Sequence, residues 1–385
     1  MVDKSFKFVD LFCGIGGFHQ ALRSFGGECV FAADIDDNCD NLYKKNYGQN
    51  CKNDITQVCE KDIPEHQVLC AGFPCQAFSK AGKQAGINDT RGTLFFDICR
   101  ILQHHRTKYI ILENVRNLFS HDDGNTWKII QSCLQDLGYR TTEKSIILSP
   151  HQFGIPQFRE RVYIMGVYDP VNVKLPLEIA LPKLQDKESN SIFNVIKESV
   201  DKKYYINEYE EKVLNAWDEF YQGINLKVIG FPVWYDYFKK EPCDTLPAWK
   251  KEFITKNNRL YQENKEFIDA WEKKHNYLKD FRLTHRKFEW QAGTRIESIW
   301  EGVIQFRPSG IRVKTPDLFP ALVAIVQIPI IGKYKRRLTP RECARLQSFP
   351  EDFICDANDL QAYKQFGNSV NVDILKILFG ELRKF

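Results

Sequence analysis

The chain has 385 residues, 43% of them hydrophobic and 27% charged, enough to bury one or two sizeable cores. No apolar run reaches membrane-spanning length, and 54 Lys/Arg against 50 Asp/Glu leave a net charge of +4, too small to indicate a partner by itself. Twelve cysteines without a Cys-x-x-Cys pair argue against zinc and against a disulfide framework, so no metal is expected and a reducing cytoplasm is.

The first residues enter a strand pattern almost at once, so no signal peptide is expected. Lys7 to Phe12 reads as a buried strand running into Cys13-Gly-Ile-Gly-Gly17, and a helix pattern follows from Phe18 to Phe25. Strand, glycine turn, helix is an arrangement that brings backbone N–H groups against a nucleotide-like ligand. The next strand, Glu28 to Ala33, ends in Asp34-Ile-Asp36. An acidic residue there can hold a ribose, or cap the helix over 38–47, or the pair can do both. Asn53-Asp-Ile55 reads as a third strand end, and His66 to Ala71 as a fourth strand that stops at Gly72.

Pro74 then fixes the backbone before Cys75, and small and polar residues follow as far as Gly92. A thiol at the carboxyl edge of a strand, ahead of such a run, is well placed to be a nucleophile, although most cysteines are simply buried. A helix over 93–104, a strand over 108–114 ending near Glu113, a helix over 126–137 and strands over 145–148 and 161–167 complete the alternation. The fold class expected is α/β, a doubly wound, mostly parallel sheet with helices on both sides.

Beyond residue 170 the pattern changes. Prolines at 170, 176 and 182 mark a linker, and six of the seven tryptophans lie between 217 and 300. Helix-like stretches stand out only around 208–221 and 259–274. Between Gln305 and Arg345 nine Lys/Arg meet two acidic residues, a local excess that beside a groove would attract phosphates. Residues 341–346 form a short helix, and 363–379 return to strong helical spacing that suits packing on the first domain. The expected organisation is 1–182 plus 355–385 as one domain, 183–335 as a smaller, irregular one, and 336–354 as a hinge.

Six motifs now stand in order: Phe8 to Gly17, Gly72-Phe-Pro-Cys-Gln76, Glu113-Asn-Val115, Gln157-Phe-Arg-Glu-Arg161, Arg337 to Gln347, and Gln365-Phe-Gly-Asn-Ser-Val370. Together they resemble the DNA (cytosine-5)-methyltransferases of the bacterial restriction-modification type. The resemblance is dense over the first 170 and the last 50 residues and loose between them. It implies the S-adenosylmethionine-dependent methyltransferase fold, with 183–335 as a target-recognition domain. The substrate implied is duplex DNA, and the cofactor S-adenosyl-L-methionine. A functional pairing with a restriction endonuclease without a stable complex, a monomer, no membrane contact and a cytoplasmic location follow from the same likeness.

By that resemblance Cys75 is the nucleophile, Glu113 the acid at ring nitrogen 3, Arg159 the cation beside the thiolate and Arg161 the group on the ring carbonyl. Carbon 5 of cytosine is too poor a nucleophile to take a methyl directly, and thiolate addition at carbon 6 converts the ring to an enamine that can. For the cofactor the resemblance implies Phe12, Gly14, Gly16, Asp34, Ile35, Asp54, Pro74, Leu94, Asn368, Ser369 and Val370. Ile35 stands where an aromatic residue is often found, which weakens stacking on the adenine without removing the contact. The base must leave the stack, at a cost of roughly a few kcal/mol. Residues 79–93 are the expected lid, with Ser79 and Arg91 on phosphate. Arg307, Arg312 and Lys314 are candidates for reading the sequence, and Lys335 for phosphate, together with Lys333, Arg336 and Arg337. A tRNA cytosine-5 methyltransferase of the same fold is the alternative; the large middle domain, able to reach a major groove, speaks against it. A non-catalytic paralogue is disfavoured because Cys75, Glu113, Arg159 and Arg161 are all present, and a dinucleotide oxidoreductase because Gly-x-Gly-x-x-Gly is not met.

Overall fold

A computed structural model describes residues 5–74, 94–186, 190–226, 229–322 and 327–385. The chain divides into two compact units. The first comprises Met1–Asn190, Ala321–Ala324 and Pro340–Phe385; the second comprises Ser191–Pro320 and Ile325–Thr339.

In chain order the first unit contains β1 (Phe6–Leu11), α1 (Gly17–Arg23), β2 (Gly27–Ala33), α2 (Asp37–Tyr47), β3 (Val68–Gly72), α3 (Leu94–His105) and β4 (Tyr109–Val115). There follow α4 (Asn117–Ser120), α5 (Asn125–Asp136), β5 (Tyr139–Thr141), β6 (Ile146–Leu148), β7 (Gln157–Phe158) and β8 (Arg161–Tyr168). Its sheet runs β2-β1-β3-β4-β8-β5, with β6 also on β8. The pairs from β2 to β4 are parallel, and β8 turns the sheet antiparallel. Both edges of β8 are occupied, by β4 on one side and by β5 and β6 in succession on the other, and its run of apolar residues is buried, as in a strand with both faces covered.

Alternation along β1 assigns the two faces. Val9 and Leu11 meet the core shared with α3 and α5, whereas Phe6 and Phe8 turn to the opposite side. There Phe8 touches His19 of α1 edge-on and Phe6 packs against Phe379. The chain leaves β1 toward β2 on one side while β3 lies on the other. Their carboxyl ends therefore form the switch point at which open α/β sheets take ligands.

Asn53–Ile55 is not a strand. Only Lys52 makes a bridge, to Asp34. The Asp54 carboxylate accepts from the Thr56 N–H at 3.0 Å, a local turn that ends the extended run.

The second unit carries α6 (Glu208–Gly223), β9 (Val233–Trp234), α7 (Ala248–Glu263), α8 (Lys265–Lys274), β10 (Lys287–Trp290), β11 (Val303–Arg307), β12 (Gly310–Lys314), β13 (Phe319–Pro320), β14 (Ile330–Ile331) and β15 (Arg336–Arg337). Six of these strands make a sheet, β15-β14-β11-β12-β10-β9, more regular than the sequence pattern suggests. Its core is aromatic. Trp217 stacks on Phe288 at 5.1 Å, and the indoles of Trp217 and Trp271 donate to the carbonyls of His285 and Ala216. The helix read over 259–274 is two helices. Buried Asn264 breaks it, its amide donating to the Leu260 carbonyl and its carbonyl accepting from the Asn225 N–H.

The chain re-enters the first unit with α9 (Pro340–Leu346), α10 (Asp359–Asn368) and α11 (Val372–Leu382). Residues 340–354, expected within a hinge, belong to this unit. Val372 N–H donates to the Gln347 carbonyl at 3.0 Å and the Asn371 side chain to the Leu346 carbonyl at 3.1 Å. The helical pattern of 363–379 is interrupted at Ser369, and Asn371 caps α11 through the Ile374 N–H. Phe379 of α11 packs on Phe6, Phe25 and Tyr109. Among the described residues no helix is long and apolar enough to cross a membrane.

Candidate active site

The turn after β1 is built by backbone that side chains rarely adopt. Phe12 and Gly14 have φ of 54° and 53°, and Gly16, at 81°, precedes α1. For Phe12 that conformation costs on the order of 1–2 kcal/mol and persists because neighbours fix it. Cys13 N–H donates to the Ala33 carbonyl at 3.0 Å, and Gly14 N–H to the Asp34 carboxylate at 2.9 Å. Asp34 thus ties the glycine turn to the tip of β2, its other oxygen accepting from Asp36 N–H. The cap of α2 is Asp36, which accepts from Asn38 N–H at 2.9 Å.

This turn forms one wall of a cavity of about 620 Å³ within the first unit. Phe12, Gly14, Asp34, Ile35, Asp54, Pro74, Leu94, Asn368, Ser369 and Val370 all line it. Ile35 is 68% exposed, so its aliphatic face is open to a flat partner at the mouth. Gly16 does not line the cavity; a Cβ there would meet the Tyr47 ring at 2.4 Å, so its glycine serves packing. Other lining residues were given no role in the sequence reading, among them Asn114, Gln361, Lys364 and Gln365. Asn114 donates to the Phe73 carbonyl at 2.8 Å and fixes the strand end that leads to Pro74. Gln361, Lys364 and Gln365 sit one turn apart on α10, and Lys364 pairs with Asp36 at 3.3 Å. The helical spacing was visible for Lys364 and Gln365, within 363–379, but not which face met the cavity.

Glu113, Arg159 and Arg161 line the same cavity. Glu113 stands two residues before the end of β4, directly beside Gly72, and Arg161 begins β8. The Arg161 Nε lies 3.1 Å from a Glu113 carboxylate oxygen, and its Nη1 donates to the Glu160 carbonyl at 2.8 Å. Burial pushes the Glu113 carboxyl above the usual range although Arg161 and Arg159 pull it down. Arg159 is buried as well. It donates to the carbonyls of Leu322 at 3.0 Å and Ser369 at 2.7 Å, and among the described residues its Nε has no acceptor. Desolvation, with the charge of Arg161 second, brings it down to about 9.

The family profile of the C-5 cytosine-specific DNA methylases matches residues 6–384. The chain belongs to that family. It is a DNA (cytosine-5-)-methyltransferase, and Type II methyltransferases are similar to it over nearly its whole length. M.AluI of Cellulosimicrobium cellulans is 32% identical over 98% of this chain and 91% of its own. M.HhaI of Haemophilus parahaemolyticus is 32% identical over 97% and 92%. Among solved structures, a Spodoptera frugiperda DNMT2 mutant superposes with a TM-score of 0.55 at 20% identity, covering 98% of this chain and 99% of that one. The Entamoeba histolytica methyltransferase EhMeth gives 0.54 at 19% identity, covering 99% and 98%. At such identities the likeness is one of fold. The methyltransferase nucleophile expected at Cys75, and Ser79 and Arg91 of the expected lid, lie outside the described residues.

The candidate DNA contacts stand in the second unit. Arg307 and Arg312 both reach Glu289. Lys314 ends β12. Lys335 pairs with Glu211 at 2.5 Å and lies 4.7 Å over the Trp300 ring. Two further phosphate candidates are otherwise engaged. Arg336 is fully buried, donating to the Lys197 and Arg337 carbonyls, and Arg337 pairs with Glu210. Among the described residues no group of His, Cys, Asp or Glu is arranged to hold a metal.

Proposed function

We propose that this methyltransferase takes S-adenosyl-L-methionine as methyl donor, flips a cytosine out of a short duplex site, and methylates carbon 5 through a covalent bond to Cys75. The supporting observation is the single cavity in which Asp34, Phe12 and Ile35 share walls with Glu113, Arg159 and Arg161. The make-up of one end suits an adenosyl group: a carboxylate at a strand tip for ribose hydroxyls, an exposed aliphatic face at Ile35, and the Asp54 carboxylate for an exocyclic amine. When bound, the donor supplies an electrophilic methyl group on a sulfonium.

The chain's own residues do the rest. The Cys75 thiolate adds to carbon 6, forming a carbon–sulfur bond and moving an electron pair toward ring nitrogen 3. Glu113, whose burial favours the proton-bearing form, donates there. Arg161 serves the ring's carbonyl oxygen, and stays oriented by its contacts with Glu113 and the Glu160 carbonyl. Arg159 places positive charge near the thiolate while anchored to two backbone carbonyls. After methyl transfer, loss of the carbon-5 proton and of the thiol restores the ring. Residues of the second unit read the site, and the product protects host DNA in the cytoplasm from a restriction endonuclease that forms no stable complex with this monomer.

The test is a duplex carrying 5-fluorocytosine at the target, found by bisulfite sequencing of DNA from an expressing host. The wild type with donor should form an adduct that survives a denaturing gel, since fluorine cannot leave as a proton does. Cys75→Ser should form none while still binding the duplex. Absence of a wild-type adduct would sink the mechanism.

A further inference from the structure

The sheet of the second unit has two unlike faces. Phe288, Trp290, Ile304, Ile311 and Val313 belong to the aromatic core. Strand alternation and register place Lys287 and Glu289 of β10, Arg312 and Lys314 of β12, and Gln305 and Arg307 of β11 on the other side. On these three strands that face carries, among the described residues, four cations and a single carboxylate, a charge balance that suits an anionic duplex.

The carboxylate is placed among the cations in a particular way. Glu289 lies in register beside Arg312, which is opposite Gln305. Arg312 grips Glu289 with two donors, Nε at 2.8 Å and Nη2 at 3.1 Å. Arg307 reaches the oxygen already taken by Arg312 Nε, and only at 3.4 Å. The Gln291 amide donates to the other oxygen. One negative charge is therefore shared by two guanidiniums, and Arg307 is the more loosely held. The group is partly shielded, with side chains 26%, 23% and 23% exposed for Arg307, Arg312 and Glu289.

We propose that Glu289 sets the sequence discrimination of this face by holding both arginines back from indiscriminate phosphate contacts and releasing Arg307 to a matching base edge. The proposal rests on the reading that the second unit reads duplex DNA. An unpaired arginine binds any phosphate, whereas one that must leave a carboxylate does so for a partner that fits its fork, such as the two major-groove acceptors of guanine. The carboxylate also repels a misplaced phosphate.

The test compares two 20-base-pair duplexes by fluorescence anisotropy across a salt series, one with the methylated site and one without. Glu289→Gln should bind the unrelated duplex about threefold or more tightly than the wild type, with a salt slope steeper by about 0.9 for each arginine released. Its preference for the cognate duplex should fall about fivefold or more. Glu289→Asp, which keeps the charge on a shorter stem, should lie between, and covers the case in which the Gln variant does not fold. An unchanged or sharper preference in both overturns the assignment to Glu289. If Arg307→Ala/Arg312→Ala also binds both duplexes as the wild type does, recognition by this face fails. If that double variant loses preference while both Glu289 variants keep it, only the role of Glu289 fails.

Discussion

Replacing Glu113 by Gln separates what this carboxyl does for chemistry from what it costs the fold. The substitution keeps the shape and removes both the proton and the charge. A general acid contributes about a hundredfold or more, and a hundredfold corresponds to roughly 2.7 kcal/mol of barrier. Single-turnover methyl transfer from a tritiated donor should therefore slow by at least about a hundredfold in Glu113→Gln. Stability should move the other way. Burial raises the folded-state pKa of Glu113 despite Arg161 at 3.1 Å and Arg159, so the native protein binds this proton more tightly than the unfolded chain. Ionising the group is then a destabilising event whose penalty is absent below the unfolded pKa and grows as pH rises through the folded one. The Gln variant escapes it and should melt at or above the wild type at pH 8, with the advantage gone near pH 4. Melting curves from pH 4 to 8 beside the transfer rates give both readings. A variant that melts well below the wild type at pH 8, or transfers methyl within threefold of it, refutes the reasoning.

Gly17→Ala would bring a Cβ to 2.5 Å from a Val370 methyl and 3.1 Å from the Ser369 hydroxyl, forcing Val370 into the cavity it lines. Overpacking of this kind costs about 1–3 kcal/mol, so calorimetric binding of S-adenosylhomocysteine should weaken roughly 5- to 150-fold; unchanged affinity would show that Val370 yields elsewhere. Arg159→Lys should lower the melting temperature at every pH between 6 and 9, because one ammonium cannot reach both carbonyls that the guanidinium bridges. Leaving one buried acceptor unpaired costs about 1–3 kcal/mol, and a variant as stable as the wild type would argue against that anchoring role.

The parts of the fold that were legible in the sequence are those in which one physical cause dominates. Strands buried on both faces read as apolar runs, which is why β1, β3, β4 and β8 stand out, and positive-φ turns call for residues such as Gly14 and Gly16. Two-residue strands such as β9, β14 and β15 carry no periodicity, so those parts of the second unit's sheet could not be seen, whereas the alternation over 300–314 that becomes β11 and β12 could. The break at Asn264 depends on a buried amide whose partner, Asn225, lies 39 residues away. In the site, Glu113 and Arg161 were found by their motifs, but nothing local revealed that they touch. Nor could spacing show that Glu289 would lie beside Arg307 and Arg312, two of the three basic residues expected to read DNA, since β10 pairs with β12 in parallel across intervening chain.

The acceptors for the Arg159 guanidinium are main-chain oxygens, one of them on Leu322, where the chain visits the first unit between two stretches of the second. A carbonyl is the same whichever residue bears it. Recombination that exchanges the second unit between relatives therefore delivers a usable oxygen from any sequence, provided the incoming segment keeps its length up to residue 322. A one-residue insertion shortly before that point would displace the oxygen even if every side chain were conserved. Substitution rates and gap frequencies should thus diverge just ahead of residue 322: tolerant of letters, intolerant of length.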